Sequence, residues 1–344
     1  GSEMCIRDRV YGITSLLLLF SIFVRAQQTE CISAPIFADP NYCGSCDPEI
    51  IWNPATEEWI FFYTGRRPAQ GVAATCGNPI GMATSKDFRN WAFRGYCLFD
   101  GKGGKPDNEN TLWAPGIIIE GDYAHMFVTY REGSTPPWGK RGGIVHYKAP
   151  VTDMLNGWKR VDVTLDDSSC LDVSVIKLES GKFRIYYVGS ANNPEAKRRK
   201  TIRFAESDNL NTWQVKGDVL GDVNDNEVHG LGYQEGVYVF RLNGRFYMLT
   251  DPHKGLATYS SDDGITWQYH GQIMKAGTSS RTLDWSQARH PSVIVKNNKP
   301  YIVYHVEPFR PEKVQAPELE KHQRYAFIQM AELECSENGI RRLK

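Results

Sequence analysis

The chain has 344 residues, with 40 Lys+Arg against 40 Asp+Glu. That balance excludes a basic nucleic-acid footprint and an acidic tail. Hydrophobic residues at 41% and charged residues at 23% exclude intrinsic disorder, while 12% aromatics with 31 glycines favour strands and turns over long helices.

Residues 10–24 carry no charge, and Leu16–Phe20 is the most apolar stretch. Arg7 and Arg9 precede it, and Val24-Arg25-Ala26 offers a small residue before a cut. This pattern predicts a leader and signal peptide over 1–26, too short for a spanning helix. The mature chain, 27–344, is then a single domain, secreted or periplasmic, with no stable membrane insertion after cleavage. It keeps seven of the eight cysteines, and export favours pairing among some of them. Cys43-Gly-Ser-Cys46 has no second such pair and reads as a structural disulfide or two buried thiols. Cys31 and Cys335 flank the two ends of the domain and are expected to bridge them.

From there the chain repeats. Ile32 to Phe37 is a candidate closing strand. Five strand pairs then follow in order. Their first strands begin at Asp47, Ala114, Asp172, Glu235 and His290, spaced by 67, 58, 63 and 55 residues. Their second strands are apolar runs such as Trp59–Tyr63 and Phe246–Thr250, joined by turns such as Asn243-Gly244. Four units end in an Asp-to-Trp signature: Asp87 to Trp91, Asp153 to Trp158, Asp208 to Trp213 and Asp262 to Trp267. Strand, turn, strand, loop, strand, turn and outer strand make one propeller blade. The predicted fold is an all-β, five-bladed β-propeller with blade boundaries near residues 110, 170, 230 and 288. The run Lys197-Arg-Arg-Lys200 reads as a solvated turn.

Inner strands of a propeller line one axis, so Asp47, Asp172, Glu235 and His290 are expected to converge there. Carboxylates crowded at a closed axis cost free energy unless they share protons, bind a cation or do chemistry. Crowding separates their pKa values, which suits the acid and base of glycoside hydrolysis. Trp52, Trp113 and Tyr233 are candidates to stack on sugar. Arg66, Arg67, His229 and Arg289 form a cationic set suited to an anionic sugar, or to pairing with the carboxylates themselves.

Asp47-Pro48, Trp113-Ala114-Pro115, Asp172 in Leu-Asp-Val-Ser-Val, and Glu235-Gly236 resemble, in order and spacing, the five-bladed glycosidases of family 43. The anhydrogalactosidases of family 117 have a similar architecture. The resemblance implies a glycoside hydrolase acting on a plant or algal polysaccharide or oligosaccharide, with Asp47 as general base and Glu235 as general acid. It implies that Asp172, ionised, keeps the acid's pKa raised. His290 matches an axial residue near a bound metal or water, with a structural divalent cation such as calcium near the axis and no cofactor otherwise. In the family 117 pattern His290 would be the acid. The helical N-terminal segment of family 117 and the fructan-cleaving motifs are missing. A carbohydrate-binding propeller, a phosphorylase and a sialidase-like enzyme are the competing readings. One Asp-box-like turn at Ser260–Trp267 is weak support for the last.

Overall fold

The computed structural model describes residues 32–69, 75–99, 110–134, 142–161, 165, 170–190, 200–220, 230–311 and 319–343. They form twenty strands in five four-stranded antiparallel sheets within the unit Ile32–Lys344. The first sheet holds β1 (Ser45–Asn53), β2 (Glu58–Gly65), β3 (Ile80–Ser85) and β4 (Ala92–Tyr96). The second holds β5 (Asn110–Glu120), β6 (Tyr123–Glu132), β7 (Gly142–Pro150) and β8 (Lys159–Val161). The third holds β9 (Leu171–Lys177), β10 (Phe183–Ser190), β11 (Lys200–Ser207) and β12 (Gln214–Asp218). The fourth holds β13 (Glu235–Leu242), β14 (Arg245–Asp251), β15 (Leu256–Ser261) and β16 (Gln268–Ile273). The fifth holds β17 (Arg289–Lys296), β18 (Lys299–Val306), β19 (Phe327–Ser336) and β20 (Gly339–Arg342).

Each sheet is a meander, and the inner strands pack side by side in a closed ring: β1 on β5, β5 on β9, β9 on β13, β13 on β17, β17 on β1. This is the five-bladed propeller. Its apolar residues fall into five clusters, one at each blade interface. The period-two alternation of β2 shows why the second strands read as unbroken apolar runs. Ile60 and Phe62 pack toward the second blade, and Phe61 and Tyr63 toward the fifth. Both faces of the blade are buried, so no polar face is needed.

Ring closure differs from the expectation. The fifth blade supplies all four of its own strands. Ile36 and Phe37 add only an isolated bridge, with the Ile36 amide donating to Ile328 O at 3.0 Å and the Ile328 amide to Phe37 O at 3.0 Å. The expected Cys31–Cys335 bridge falls on Cys31, outside the described residues. Cys43 and Cys46 are free thiols. No helix among the described residues is long and apolar enough to cross a membrane.

The Asp-to-Trp turns are present, but in two of them the working acceptor is one residue later than the sequence suggested. Asp87 accepts the amides of Arg89 and Asn90, Asn209 those of Asn211 and Thr212, and Asp263 those of Ile265 and Thr266. The next residue, Phe88, Leu210 or Gly264, then takes a left-handed φ of 66°, 66° or 71°. Asp208 and Asp262 instead point to solvent beside Lys182 and Arg245. Asp263→Ala is therefore expected to cost about 1 kcal/mol through two lost acceptor contacts. Asp262→Ala should stay within about 0.5 kcal/mol of wild type in denaturant unfolding.

A second device sits in the second blade. His125 Nδ1 lies 2.9 Å from His146 Nε2, and the His146 ring stacks on Phe127 at 4.4 Å. Burial pushes His125 down to about 4 and His146 to about 3, from an ordinary value of 6.5. With both folded values depressed, the unfolded chain takes up protons first as the pH falls. Stability is complete above pH 6.5 and is lost toward the folded values of about 4 and 3. A loss on the order of 3 kcal/mol between pH 6.5 and 4 is expected in thermal melts. The His125→Gln/His146→Gln double variant should flatten that slope.

Candidate active site

Every inner strand carries a one-residue bulge near its start. At each bulge one residue takes a left-handed φ: Asp47 (48°), Ala114 (43°), Asp172 (53°), Gly236 (56°) and His290 (40°). These five converge on a small axial cavity of about 20 Å³, enough for about one water. Four of them are not glycine and are strained there; such strain persists only where the surroundings over-determine it. The second strands supply that hold. The Asp47 amide donates to His305 Nδ1 at 3.0 Å, the Ala114 amide to Thr64 Oγ1 at 2.9 Å, and the Asp172 amide to Thr129 Oγ1 at 2.9 Å. In each case a residue on one blade fixes the axial residue of the next.

Glu235 is out of phase with this series. It pairs with Asp251 across the sheet, as Cys46, Trp113, Leu171 and Arg289 pair with their partners. The axial residue of the fourth blade is Gly236, and Glu235 is one residue upstream. Glycine is required there. A Cβ on Gly236 would lie 3.0 Å from His290 Cγ, and φ is positive. Its amide donates to Asp172 Oδ2 at 2.9 Å. The missing side chain thus lets the His290 ring lie against the fourth blade and reach Glu235.

The four predicted residues do converge. His290 Nε2 lies 3.3 Å from Glu235 Oε1 and 4.0 Å from Asp172 Oδ2, and His290 Nδ1 lies 3.5 Å from Asp47 Oδ1. Burial would lower the His290 pKa, but Asp47, Asp172 and Glu235 outweigh it and hold the ring protonated well above its usual range. Burial would raise Asp47, but His290 and Arg66 hold it low. Burial would likewise raise Glu235, but the His290 hydrogen bond and charge bring it down to about 2. Asp172 goes the other way, to about 7, because burial wins over His290 there and Glu235 repels its charge. This reverses the expected order, in which an ionised Asp172 would keep Glu235 raised. The reason is proximity: the imidazolium donates to Glu235, and Asp172 receives only a backbone amide and a weaker charge.

The other predicted residues separate into two groups. Tyr233 is at the site, its pKa raised by burial and by the charges of Glu235 and Asp172, and its ring stacked 6.2 Å from that of His253. Trp113 occupies the position equivalent to Glu235, its indole N–H donating to Thr75 O at 2.8 Å and Arg131 over its ring. Arg66 and Arg289 both grip Glu307, at 3.1 and 3.2 Å. Arg67 turns away, buried with its guanidinium over the Tyr42 ring. Trp52 sits at the far end of β1, 38% exposed and packed on Trp59. His229 lies outside the described residues.

Sequence reasoning missed several participants. Glu307, at the end of the second strand of the fifth blade, is buried. Burial would raise it, but Arg289, Arg66 and Arg310 hold it at about 2. His305 is fully buried and accepts the Asp47 amide, so burial keeps it neutral. Both are polar residues in the otherwise apolar run Tyr301–Val306 and its next residue, which was the available signal. His253 Nε2 lies 3.5 Å from Glu235 Oε1. Lys200, half-buried at the start of β11, has its pKa lowered by burial and by Arg131 and lies near Asp172 and Glu235, so the end of the basic run is not a solvated turn.

Asp172, Glu235 and His290 are also the group whose donor atoms could meet at one cation, all within 4.8 Å. Calcium takes six to eight oxygen ligands. This group offers two carboxylates and one imidazole, so further oxygen ligands such as waters would have to complete a calcium shell.

Five blades around an axis crowded with carboxylates and one imidazolium define a propeller of the glycosidase class. The chain belongs to the family described as Glycosyl hydrolases family 43, whose profile matches residues 47–336. It is a glycoside hydrolase. A thermostable family-43 glycoside hydrolase is similar in structure, with TM-score 0.65 and 18% identity over 90% of this chain and 96% of that one. CoXyl43, a GH43 beta-xylosidase/alpha-arabinofuranosidase from a compost microbial metagenome in complex with xylotriose, gives 0.65 and 15% over 90% and 96%. The GH43_1 enzyme from Xanthomonas citri complexed with xylotriose gives 0.65 and 14% over 90% and 91%. At these identities the likeness is one of fold. No curated protein matches the chain.

Proposed function

We propose that the protein is an exported, inverting glycosidase acting on oligosaccharides or polysaccharides of plant or algal origin. Asp47 is the general base, Glu235 the general acid, and Asp172 a positioning residue. The observation that carries this reading is the His290 ring standing between Asp47 and Glu235, one on each nitrogen. One carboxylate at each nitrogen of the ring supports the separated pair of an inverting enzyme over the ~5–5.5 Å pair of a retaining one. Asp47, held ionised, takes a proton from that water. Glu235 takes the Nε2 proton of His290 and passes it to the leaving oxygen as substrate displaces solvent. His290 is left neutral with its Nδ1 proton and Asp47 is left protonated; Nε2 then takes up a proton from solvent and Asp47 releases one to solvent, which resets both groups. A second reading, with His290 itself as the donor, is favoured by its being the group that holds the proton.

The neighbours' xylotriose complexes support an oligosaccharide substrate, and xylo- and arabino-oligosaccharides are the first panel to try. No cofactor takes part. The uncharged stretch at 10–24 supports export. Proton NMR of the first-formed product tests the mechanism. The anomer opposite to that of the substrate is expected; the same anomer would overturn inversion.

A further inference from the structure

Beside the axial site lies a cleft of about 490 Å³ between the fourth and fifth blades, within the range of small-molecule sites. It joins the site directly. His253 lines it and reaches Glu235, and Arg289 lines it one residue before His290. Among the described residues the lining carries four cations, Lys254, Lys275, Arg289 and Arg310, against one carboxylate, Glu307. The chain as a whole has equal numbers of basic and acidic residues, so this excess is local and not a by-product of a basic protein.

Glu307 does not neutralise the excess, because it is shared by three guanidiniums: Arg66 at 3.1 Å, Arg289 at 3.2 Å and Arg310 at 2.9 Å. It fixes their positions instead. Arg289 is further pinned by a 2.9 Å contact from Nη1 to His253 Nδ1. The two lysines are brought together by backbone. Gly255, at φ 92°, passes so close to the next loop that a Cβ there would meet Ile273 O at 2.6 Å and Lys275 Cγ at 3.0 Å. That loop is braced by Gly277 N–H to Trp285 O at 2.7 Å and Ala288 N–H to Met274 O at 3.0 Å. Cations held in place with no matching anion among the described residues attract an anion from solution.

An independent feature lies at the rim. Trp285 and Phe309 are 44% and 39% exposed, with ring centroids 6.2 Å apart. Each adjoins a lining residue in sequence, Ser286 and Arg310. The Trp285 indole N–H is tied to Pro308 O at 2.9 Å, so its ring is fixed in the open. Large aromatic rings held exposed mark an interaction site, and the apolar face of a sugar ring is a suitable occupant.

We propose that this cleft is a leaving-group subsite for a sugar bearing a carboxylate or sulfate substituent, with Trp285 stacking on the adjoining ring. The inference rests on the glycosidase reading and narrows its substrate class to acidic glycans. The leaving-group side follows from His253, which connects the cleft to the acid and not to Asp47. The anion sits among Lys254, Lys275 and Arg310, while Glu307 keeps Arg289 and Arg66 from moving toward it.

The test compares oligosaccharides of one backbone in neutral, uronate-bearing and sulfated forms, on the full chain and on Lys254→Ala/Lys275→Ala. One acidic form should exceed the neutral one by ~10-fold or more in kcat/KM, and the double variant should lose ~10-fold of that ratio, as expected for lost charge-assisted contacts. The two acidic arms distinguish carboxylate from sulfate. The preference should also shrink as ionic strength rises past ~0.1 M. Titration of the same three glycans into Glu235→Gln reads the preference as binding, without turnover. A wild-type ratio at or below one, or a ratio unchanged in the double variant, would overturn the subsite. Retention of anomeric configuration would overturn the proposed mechanism and leave the subsite standing.

Discussion

Asp47→Asn and Glu235→Gln are each expected to lower turnover of an unactivated glycoside by at least ~10², the usual cost of losing a positioned base or acid. Asp47 is buried and held ionised beside His290 and Arg66, so the amide removes the one group poised to take a proton from water. The two variants should differ in a second measurement. An aryl glycoside with a good leaving group needs little protonation, so Glu235→Gln should recover most of its activity on it. Asp47→Asn should not, because water still needs a base. Equal losses on both substrates would mean that Glu235 is not the acid. Full activity in Glu235→Gln, together with loss in His290→Ala, would hand that role to His290.

His290→Gln is expected to lower kcat/KM by ~10² or more and to move the acid limb of the pH profile upward by at least ~1 unit. The glutamine keeps volume and one hydrogen bond but removes the charge. In the wild type the imidazolium offsets the burial of Asp47 and Glu235, holding both below their ordinary values of 3.8 and 4.5. Without it, burial and mutual repulsion raise them, and the base is ionised only at higher pH. The sign carries over to stability. Depressed carboxylates stabilise the fold above 3.8 and 4.5 and stop doing so as pH falls. His290, with its folded pKa raised, stabilises below 6.5, and that contribution fades as pH rises through its folded value. The joint contribution of these three groups is therefore greatest between these limits, while Asp172, raised to about 7, opposes it as pH rises above 3.8. The variant, with an unpaired buried cluster, should be less stable at neutral pH by ~3–5 kcal/mol and partly recover in acid, where a carboxyl is protonated. A pH profile and melts of both proteins, recorded side by side, check this. An unmoved acid limb would show that the ring does not control the base.

Much of the architecture is written in local periodicity. A strand buried on both faces is an apolar run of fixed length, and a hairpin turn is a short polar break. Both recur every 55 to 67 residues. That is why the inner strands at Asn110, Leu171, Glu235 and Arg289 begin near the predicted boundaries. Asp47, Asp172 and His290 were legible for the same reason: charged residues opening strands that otherwise have no use for charge. The turn acceptors were displaced by one residue because Asp208-Asn209 and Asp262-Asp263 each offer two side chains able to cap amides. Only backbone geometry selects the second.

The phase of Glu235 was not legible, because the bulge that sets it exists only once β13 is paired with β14 and packed on β17. Gly236 is needed by His290, 54 residues further on, and no local pattern connects them. The roles of Glu307, His305 and His253 also required the ring to close, since each acts on a residue from another blade or another strand. The location of the protons was decided last and by tertiary structure alone. The sequence determined that carboxylates and an imidazole would share one axis. Distances of 3.3 and 4.0 Å from a single His290 nitrogen then decided which carboxylate is held ionised and which is left to burial, because charge–charge energy depends on separation, and sequence spacing does not encode it.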